Sequence, residues 1–487
     1  MGYEIQEAVK RVGCGSAQIV PFLVCFIATM ADAFEMILLS FIGPMVRCEW
    51  QCSKFEEAFL TTIVFMGMIV GGFVWGYLAD HRHFGRRNCI VFANAITFGA
   101  GIASAFSPNI YSLITLRGIL GLGIAGNTLM PFVLFMEILP PKGRGFWASV
   151  ICWSWSIGAV LLVVFAWILL PNHGWRYLVL ISALPGGVCL LISITLLDES
   201  PFFHAMHSDR KETMRTLRTM AKSNRMSLPK GEIILNSRDI EERREMRSRS
   251  VCAGLCSILT SDIWWTTVRL WFVWFACAFT YYGTILVTTM LSKEDEGWNS
   301  ESCKHTNDEW GNSETATYVF SEDAYMHILS STWGELAAAL ITTLFLDRLG
   351  RKFLMTASFA TFSFSFLLLS FMETQADSFS DENEDHSSLF ILLMFLARMS
   401  AAVTLTPTIY VYTSEIYTTE QRASGVSMGY VFARIGGIVV PLVAQILFES
   451  TYVVSMLIFV GVGVVSAICS ASFEIETTGK HLPHGSF

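Results

Sequence analysis

Residues 17–44 read AQIVPFLVCFIATMADAFEMILLSFIGP, a run long and apolar enough to cross a bilayer, with Asp32 and Glu35 near its middle. An Asp at the centre of a membrane helix costs roughly 2.5–3.5 kcal/mol on insertion scales, so it persists only beside a partner, a water-filled cavity or a proton. Three residues apart on a helix, the two carboxylates project about 60° apart and share one face. That face is expected to line a polar path through the membrane. Composition agrees with a multi-pass membrane protein. Of 487 residues, 53% are hydrophobic and only 15% charged, and the mean hydropathy is +0.50; a soluble protein carries nearer a quarter charged residues. Ala31-Asp32-Ala33 loosely imitates a signal cleavage site, but its acidic centre and the apolar run beyond it mark the span as retained.

A window of about 20 residues, the length that crosses a bilayer of roughly 30 Å, gives twelve candidate spans. Their cores are 17–44, 58–79, 88–106, 110–136, 146–170, 175–197, 265–291, 324–346, 353–372, 389–412, 425–447 and 452–473. The chain therefore reads as all-α. An N-terminal tail of 1–16 precedes a six-helix half (17–197), and a charged linker with amphipathic helices (198–264) leads to a second six-helix half (265–473) and a tail of 474–487. In the second span Gly67/Gly71 and Gly72/Gly76 form two GxxxG pairs, which let helix backbones approach closely.

Basic loops stay in the cytosol. Arg82, Arg86 and Arg87 follow the second span, and Lys142 and Arg144 follow the fourth. A dozen more basic residues, Arg210 to Arg249, lie in the linker. The loop 292–323 instead holds nine Asp/Glu against Lys293 and Lys304, and 373–386 is acidic with no Lys or Arg. Both termini are expected in the cytosol. The 12 cysteines show no zinc-like or CxxC spacing. Most (Cys25, Cys152, Cys189, Cys277, Cys469) lie in apolar runs, whereas Cys48, Cys52 and Cys303 fall in loops outside the cytosol where a disulfide can form; the pairing is left open.

An internal repeat fixes the architecture. Asp80 recurs as Asp347, Arg117 as Arg398, Glu137 as Glu415, Arg144 as Arg422 and Glu199 as Glu476, at offsets of 267 to 281 residues. Each pair sits at the matching place in the two six-span halves, the parallel repeat of major facilitator transporters.

The motifs carry that resemblance over nearly the whole chain. Gly76-Tyr77-Leu78-Ala79-Asp80 with Gly85-Arg86-Arg87 resembles the major facilitator loop signature, and Asp347-Arg348-Leu349-Gly350-Arg351-Lys352 is its second copy. The first copy has two residues more between Asp and Gly. Arg117–Gly126 resembles the family's fourth-helix motif; its literal GxGxxG follows no strand and is no dinucleotide site. Asp198-Glu199-Ser200-Pro201 and Glu474–Lys480 resemble the elements after the sixth and twelfth helices. The stretches 33–50, 279–283, 409–425 and 433–447 are similar to the synaptic-vesicle-related branch of that superfamily, kin of the organic ion transporters. The resemblance implies a vesicle membrane of secretory or synaptic type; a plasma membrane is also compatible.

Two groups of charge follow. Asp80, Arg86, Arg87, Glu137, Arg144, Glu199, Asp347, Arg351, Glu415, Arg422 and Glu476 are expected to pair across the halves as a cytosolic gate that is held shut in one state and parts in the other. Inside the membrane stand Asp32, Glu35, Arg117, Arg269, Glu335, Arg398 and Arg434. Arg117 and Arg398 read equally as packing anchors or ligands. Asp32, Glu35, Glu335 and Arg434, without repeat partners, are the candidates for a substrate and proton pathway; the rival reading is a static pair of Asp32 or Glu335 with Arg434. Burial disfavours a charged carboxylate, so Glu335 or Asp32 is expected to couple proton movement to alternating access, while Arg434 offers a fork of donors to an anionic group. Tyr281 and Tyr282 add aromatic faces that attract organic cations.

The expectation is a secondary transporter of a small charged or zwitterionic organic solute, acting as a monomer, with no cofactor, metal or nucleic-acid partner. The alternative is a non-transporting member of the vesicle membrane that binds a ligand or serves trafficking. No Ser/His/Asp set, metal site or phosphate cradle points to an enzyme.

Overall fold

A bilayer core holds no water to satisfy backbone amides, so long apolar segments cross it as helices that bond within themselves. The computed structural model describes residues 2, 3, 5–79, 81, 84–140, 144–207, 209–229, 231–233, 259, 263–294, 303–307, 314–318, 320–376, 383–417 and 419–477. Asp80 lies outside these residues, as do the side chains of Arg144, Asp347 and Arg422.

The first half holds α1 (Ile5–Val12), α2 (Ile19–Trp50), α3 (Lys54–Ala79), α4 (Gly85–Ala105), α5 (Ile110–Ile138) and α6 (Arg144–Thr195). After it come α7 (Pro201–Met206) and α8 (Arg210–Ser223). The second half holds α9 (Trp264–Glu294), α10 (Glu322–Leu349), α11 (Arg351–Ala376), α12 (Asn383–Val403), α13 (Ile409–Ile416), α14 (Thr419–Pro441), α15 (Phe448–Ser450) and α16 (Tyr452–Ala471). Among the described residues, ten helices are long and apolar enough to cross a membrane. The expected fifth and sixth spans are the two arms of α6, broken at Gly174, whose φ of 74° breaks the helical run. The expected tenth is the shorter apolar α12, continued into α13 through a π turn at Thr404–Thr408. A second π turn, Leu442–Leu447, joins α14 to α15.

Each half packs on itself: α2 on α6, α3 on α5, and α4 on both α5 and α6, mirrored by α9 on α14 and α16, α10 on α12, and α11 on α12 and α16. The halves meet along α6–α10 and α3–α14. The central helices are α2 and α9, in which residues 31–46 and 276–291 are all buried. Small residues set the closest approaches. A Cβ at Gly67 would lie 2.2 Å from the Gly118 carbonyl oxygen, and one at Gly121 would lie 2.2 Å from that of Val64. The glycine-rich run of α5 is thus a packing surface for α3. Gly71 packs there too, whereas Gly72 and Gly76 meet nothing within 4 Å, so only the first GxxxG pair brings helices together.

One face carries the ends of α3, α5 and α10 and the starts of α4 and α11, the basic face. The opposite face carries a hairpin of β3 (Cys303–Asn307) and β4 (Glu314–Tyr318) with Cys303 opposite Tyr318. Below we call it the hairpin face.

The stretch expected as a plain tail is folded. β1 (Gly2–Tyr3) pairs in parallel with β2 (Glu232–Ile233), and Tyr3, Val9 and Val12 bury with Leu217, Met220 and Ile233 against Phe135, Ile138 and Ile151. Asn224 fastens this cap: its Oδ1 accepts the Ala17 amide at 2.8 Å, and its Nδ2 donates to Gln18 Oε1 at 3.1 Å.

Candidate functional site

Asp32 and Glu35 both face α5 from α2, but their surroundings differ. Glu35 is locked: its Oε2 meets an Arg117 Nη at 2.6 Å, and its Oε1 accepts the Ser182 hydroxyl at 3.1 Å. Asp32 accepts one hydroxyl proton, from Thr128 at 2.7 Å, and its other oxygen has no hydrogen-bond partner. It is 1% exposed.

The second half repeats the locked arrangement with different helices. Arg398 of α12 donates through Nε to Glu335 of α10 at 2.8 Å. Arg117 and Arg398 are repeat-related, yet their partners come from α2 and α10, which are not at matching places in the two halves. Both pairs are buried and one-to-one, so each arginine is held by its glutamate. The first half also reaches this second pair. Ser156 donates to the Glu335 backbone carbonyl at 3.1 Å, and the Trp155 indole N–H donates to the Tyr281 hydroxyl at 2.5 Å.

Arg434 of α14 is held otherwise. One Nη donates to Tyr282 at 3.2 Å and the other to Tyr430, whose ring lies under the guanidinium at 4.3 Å from the centroid. Its Nε has no hydrogen-bond partner, and among the described residues it makes no ion pair within 4 Å. Asp32 is within its electrostatic reach. The alternative of a static Asp32–Arg434 or Glu335–Arg434 ion pair is therefore corrected: Glu335 takes Arg398, and Asp32 takes Thr128. Tyr281 and Tyr282, adjacent on α9, point the one toward Glu335 and the other toward Arg434.

One further expectation changes. Arg269 is not at membrane depth among these groups. It lies near the start of α9 on the basic face, where it bonds the Ser472 carbonyl at 2.6 Å. In this conformation the described contacts of the charges expected at the cytosolic gate lie within the halves, as the parted state of that gate requires. Arg86 meets Glu137 at 2.8 Å, and Arg351 meets Glu415 at 3.1 Å. Glu199 accepts the Arg87 amide at 3.0 Å, and Glu476 accepts those of Arg351 and Lys352 at 3.1 and 3.2 Å. The reason is local: α4 and α11 each start with free amide groups, and a carboxylate beside a helix start satisfies them and meets its positive dipole end. Arg87 itself donates to the Leu197 carbonyl.

Sequence reasoning missed Thr128, Ser182, Trp155 and Tyr430. Only Tyr430 had a readable signal, since it sits four residues before Arg434 on the same helix face. It also missed the ion pairs that do cross the halves, on the hairpin face: Glu449 meets Arg47 and Lys54, each at 2.6 Å.

A family model described as Major Facilitator Superfamily matches residues 24–321 and 315–485. The synaptic vesicle 2-related protein of Bos taurus is 32% identical over 486 residues, covering 99% of this chain and 83% of its own. Organic cation/carnitine transporter 7 of Arabidopsis thaliana is 32% identical over 515 residues, covering 99% and 96%. Among solved structures, the partially occluded inward open conformation of the xylose transporter XylE from E. coli is similar with a TM-score of 0.70 at 17% identity, covering 96% of this chain and 100% of that one. That last likeness is one of fold.

Proposed function

Since the chain belongs to the major facilitator superfamily, we propose that it is a secondary active transporter carrying a small zwitterionic or charged organic solute by alternating access, coupled to a proton. One observation carries the reading. Asp32 and Arg434 are buried near one another, and neither has an ion pair of its own among the described residues. Every other described buried charge in the membrane interior is spoken for: Glu35 by Arg117, and Glu335 by Arg398.

A buried charge without a partner is costly, so the pair fits a solute that supplies the missing partners: an anionic group at the Arg434 fork and a cationic group at Asp32, beside the rings of Tyr282 and Tyr430. Asp32 is the carboxylate least supported in its charged form, with one hydroxyl on it and no cation within ion-pair distance. It is therefore the group that takes a proton when the solute is absent. Glu335, locked to Arg398, is not free for that part. The relative named for organic cations and carnitine supports a solute with a cationic group.

In this reading the basic face is cytosolic and holds both termini, the hairpin face is outside, and the relative named for synaptic vesicles supports a vesicle membrane. The test is a thermal-shift screen of purified protein at two pH values against organic zwitterions, cations, anions and sugars. A solute that binds only the folded state raises the melting midpoint. We expect a zwitterion to stabilise the wild type, with the shift lost in Asp32→Asn and Arg434→Gln while both remain folded. If no solute shifts the midpoint and both variants melt early, the two charges are structural, and the non-transporting alternative takes over.

A further inference from the structure

On the hairpin face the halves are joined covalently. Cys48, in the last turn of α2, bonds Cys303, the first residue of β3, with their Cα atoms 5.7 Å apart at a sequence separation of 255. α2 belongs to the first half, while the chain around Cys303 runs between α9 and α10 of the second. The hairpin is also seated: β4 lies against α2. Phe41 of α2 stacks edge-on to Phe320 at 5.6 Å and lies over Tyr325 at 6.5 Å, with Tyr318 on Phe320 at 4.9 Å.

The seam beneath is closed as well. Arg47, next to Cys48, meets Glu449 of the second half, which also holds Lys54. Thr62 donates to the Ile438 carbonyl at 3.4 Å, and the Phe65 ring meets Tyr282 at 4.8 Å.

We propose that the Cys48–Cys303 bond and the hairpin it anchors form a clasp across the outer seam, which biases the protein toward closure on this face and limits how far the halves part there. The bond is no rigid weld. Eight residues lie between Glu294, the end of α9, and Cys303, and nine Cα-to-Cα steps span at most about 30 Å. What the bond does is keep the hairpin on α2, so that opening must pull the second half away from Phe41 or strip the hairpin from it. The nearby third cysteine is kept out of exchange. Cys52 is free and buried; burial, then the Glu57 and Glu56 carboxylates, push its thiol up to about 11. Attack on a disulfide needs a thiolate, so Cys52 leaves the bond alone at neutral pH.

The experiment places a thiol at the seam with Thr62→Cys, a site 8% exposed, in full-length protein held in lipid nanodiscs. Its reaction with a polar maleimide is followed by peptide-resolved mass spectrometry, which also scores the Cys48–Cys303 link before reduction. We expect the link to be present, and reduction to speed labelling about fivefold as the outward-open population grows, with re-oxidation restoring the slow rate. The double variant Cys48→Ser/Cys303→Ser should match the reduced protein. Absence of the link in unreduced protein overturns the clasp. So does a rate that changes less than about twofold on reduction, or one that re-oxidation fails to restore. If the double variant does not fold, the reversible reduction decides alone. Since no solute is needed, this outcome is independent of the transport assay.

Discussion

The two faces of the molecule use the same chemistry for opposite ends. On the basic face Arg86–Glu137 and Arg351–Glu415 each join helices of one half, and Glu199 and Glu476 each cap a helix of their own half. On the hairpin face Glu449 binds Arg47 and Lys54 across the seam, and the disulfide crosses it too. The first set makes two stiff bodies. The second decides whether those bodies touch. Whether a charge cluster at the end of a helix bundle holds the gate in a given conformation depends on which body each partner belongs to. By that test this conformation is shut on the hairpin face.

The largest expected effect is on the basic face. The Arg86 side chain is 3% exposed and meets Glu137. Removing Arg86 takes away that contact together with the packing of a nearly buried side chain, worth roughly 3 kcal/mol. Arg86→Ala should therefore lower the melting temperature by several degrees and leave thiol labelling at the seam unchanged. Faster labelling at the seam would mean that the pair also senses the other half, and the contrast between the faces would fail.

Glycine substitutions sharpen the same contrast at smaller size. A Cβ at Gly121 would run into the Val64 backbone oxygen, inside one half, where neither backbone can give. Overpacking of this kind costs about 1–3 kcal/mol, so Gly121→Ala should melt early without altering access. A Cβ at Gly437 would lie 2.5 Å from a ring carbon of Phe65, the far end of a side chain on the other half. Gly437→Ala should thus cost less in melting temperature and show itself as faster labelling at the seam, because Phe65 is displaced from it.

How far the sequence foretold this depends on the kind of feature. Spans, the repeat and the buried charges are written in hydropathy and spacing, and the chain's apolar runs left few alternatives. Partners are not so written. Glu35 and Arg117 are 82 residues apart, and nothing local says that α2 lies against α5 there rather than against α14. The helix-capping part of Glu199 and Glu476 is not so written either, although Gly85 and Gly350, both at positive φ, mark the helix starts that draw them. The folded cap of residues 2–18 was hidden because Asn224, which fastens it, looks like any polar linker residue. The sequence offers three cysteines for one bond. The choice of Cys48 over Cys52 rests on tertiary packing, which brings the Cys303 Cα to 5.7 Å from that of Cys48.

The smallest effect bears on the latch itself. Lys54 is 47% exposed and Arg47 15%, and ion pairs of that exposure contribute at most about 1 kcal/mol. Glu449→Gln should barely move the melting temperature. It should nevertheless speed labelling of the seam thiol a few-fold, about two- to threefold for a bias of that size, because the lost contacts are ones that opening must break. Salt provides the control. The Debye length falls from about 8 Å at 0.15 M to 3 Å at 1 M, so raising salt should bring the unsubstituted protein toward the variant's rate and leave the variant nearly unmoved. The Arg86–Glu137 pair, whose arginine is 3% exposed, should give the melting temperature a smaller salt dependence. If salt leaves the seam rate of the unsubstituted protein unchanged, then Phe41, Phe65 and the disulfide hold the hairpin face by packing and covalent restraint, and the ionic latch adds nothing to them.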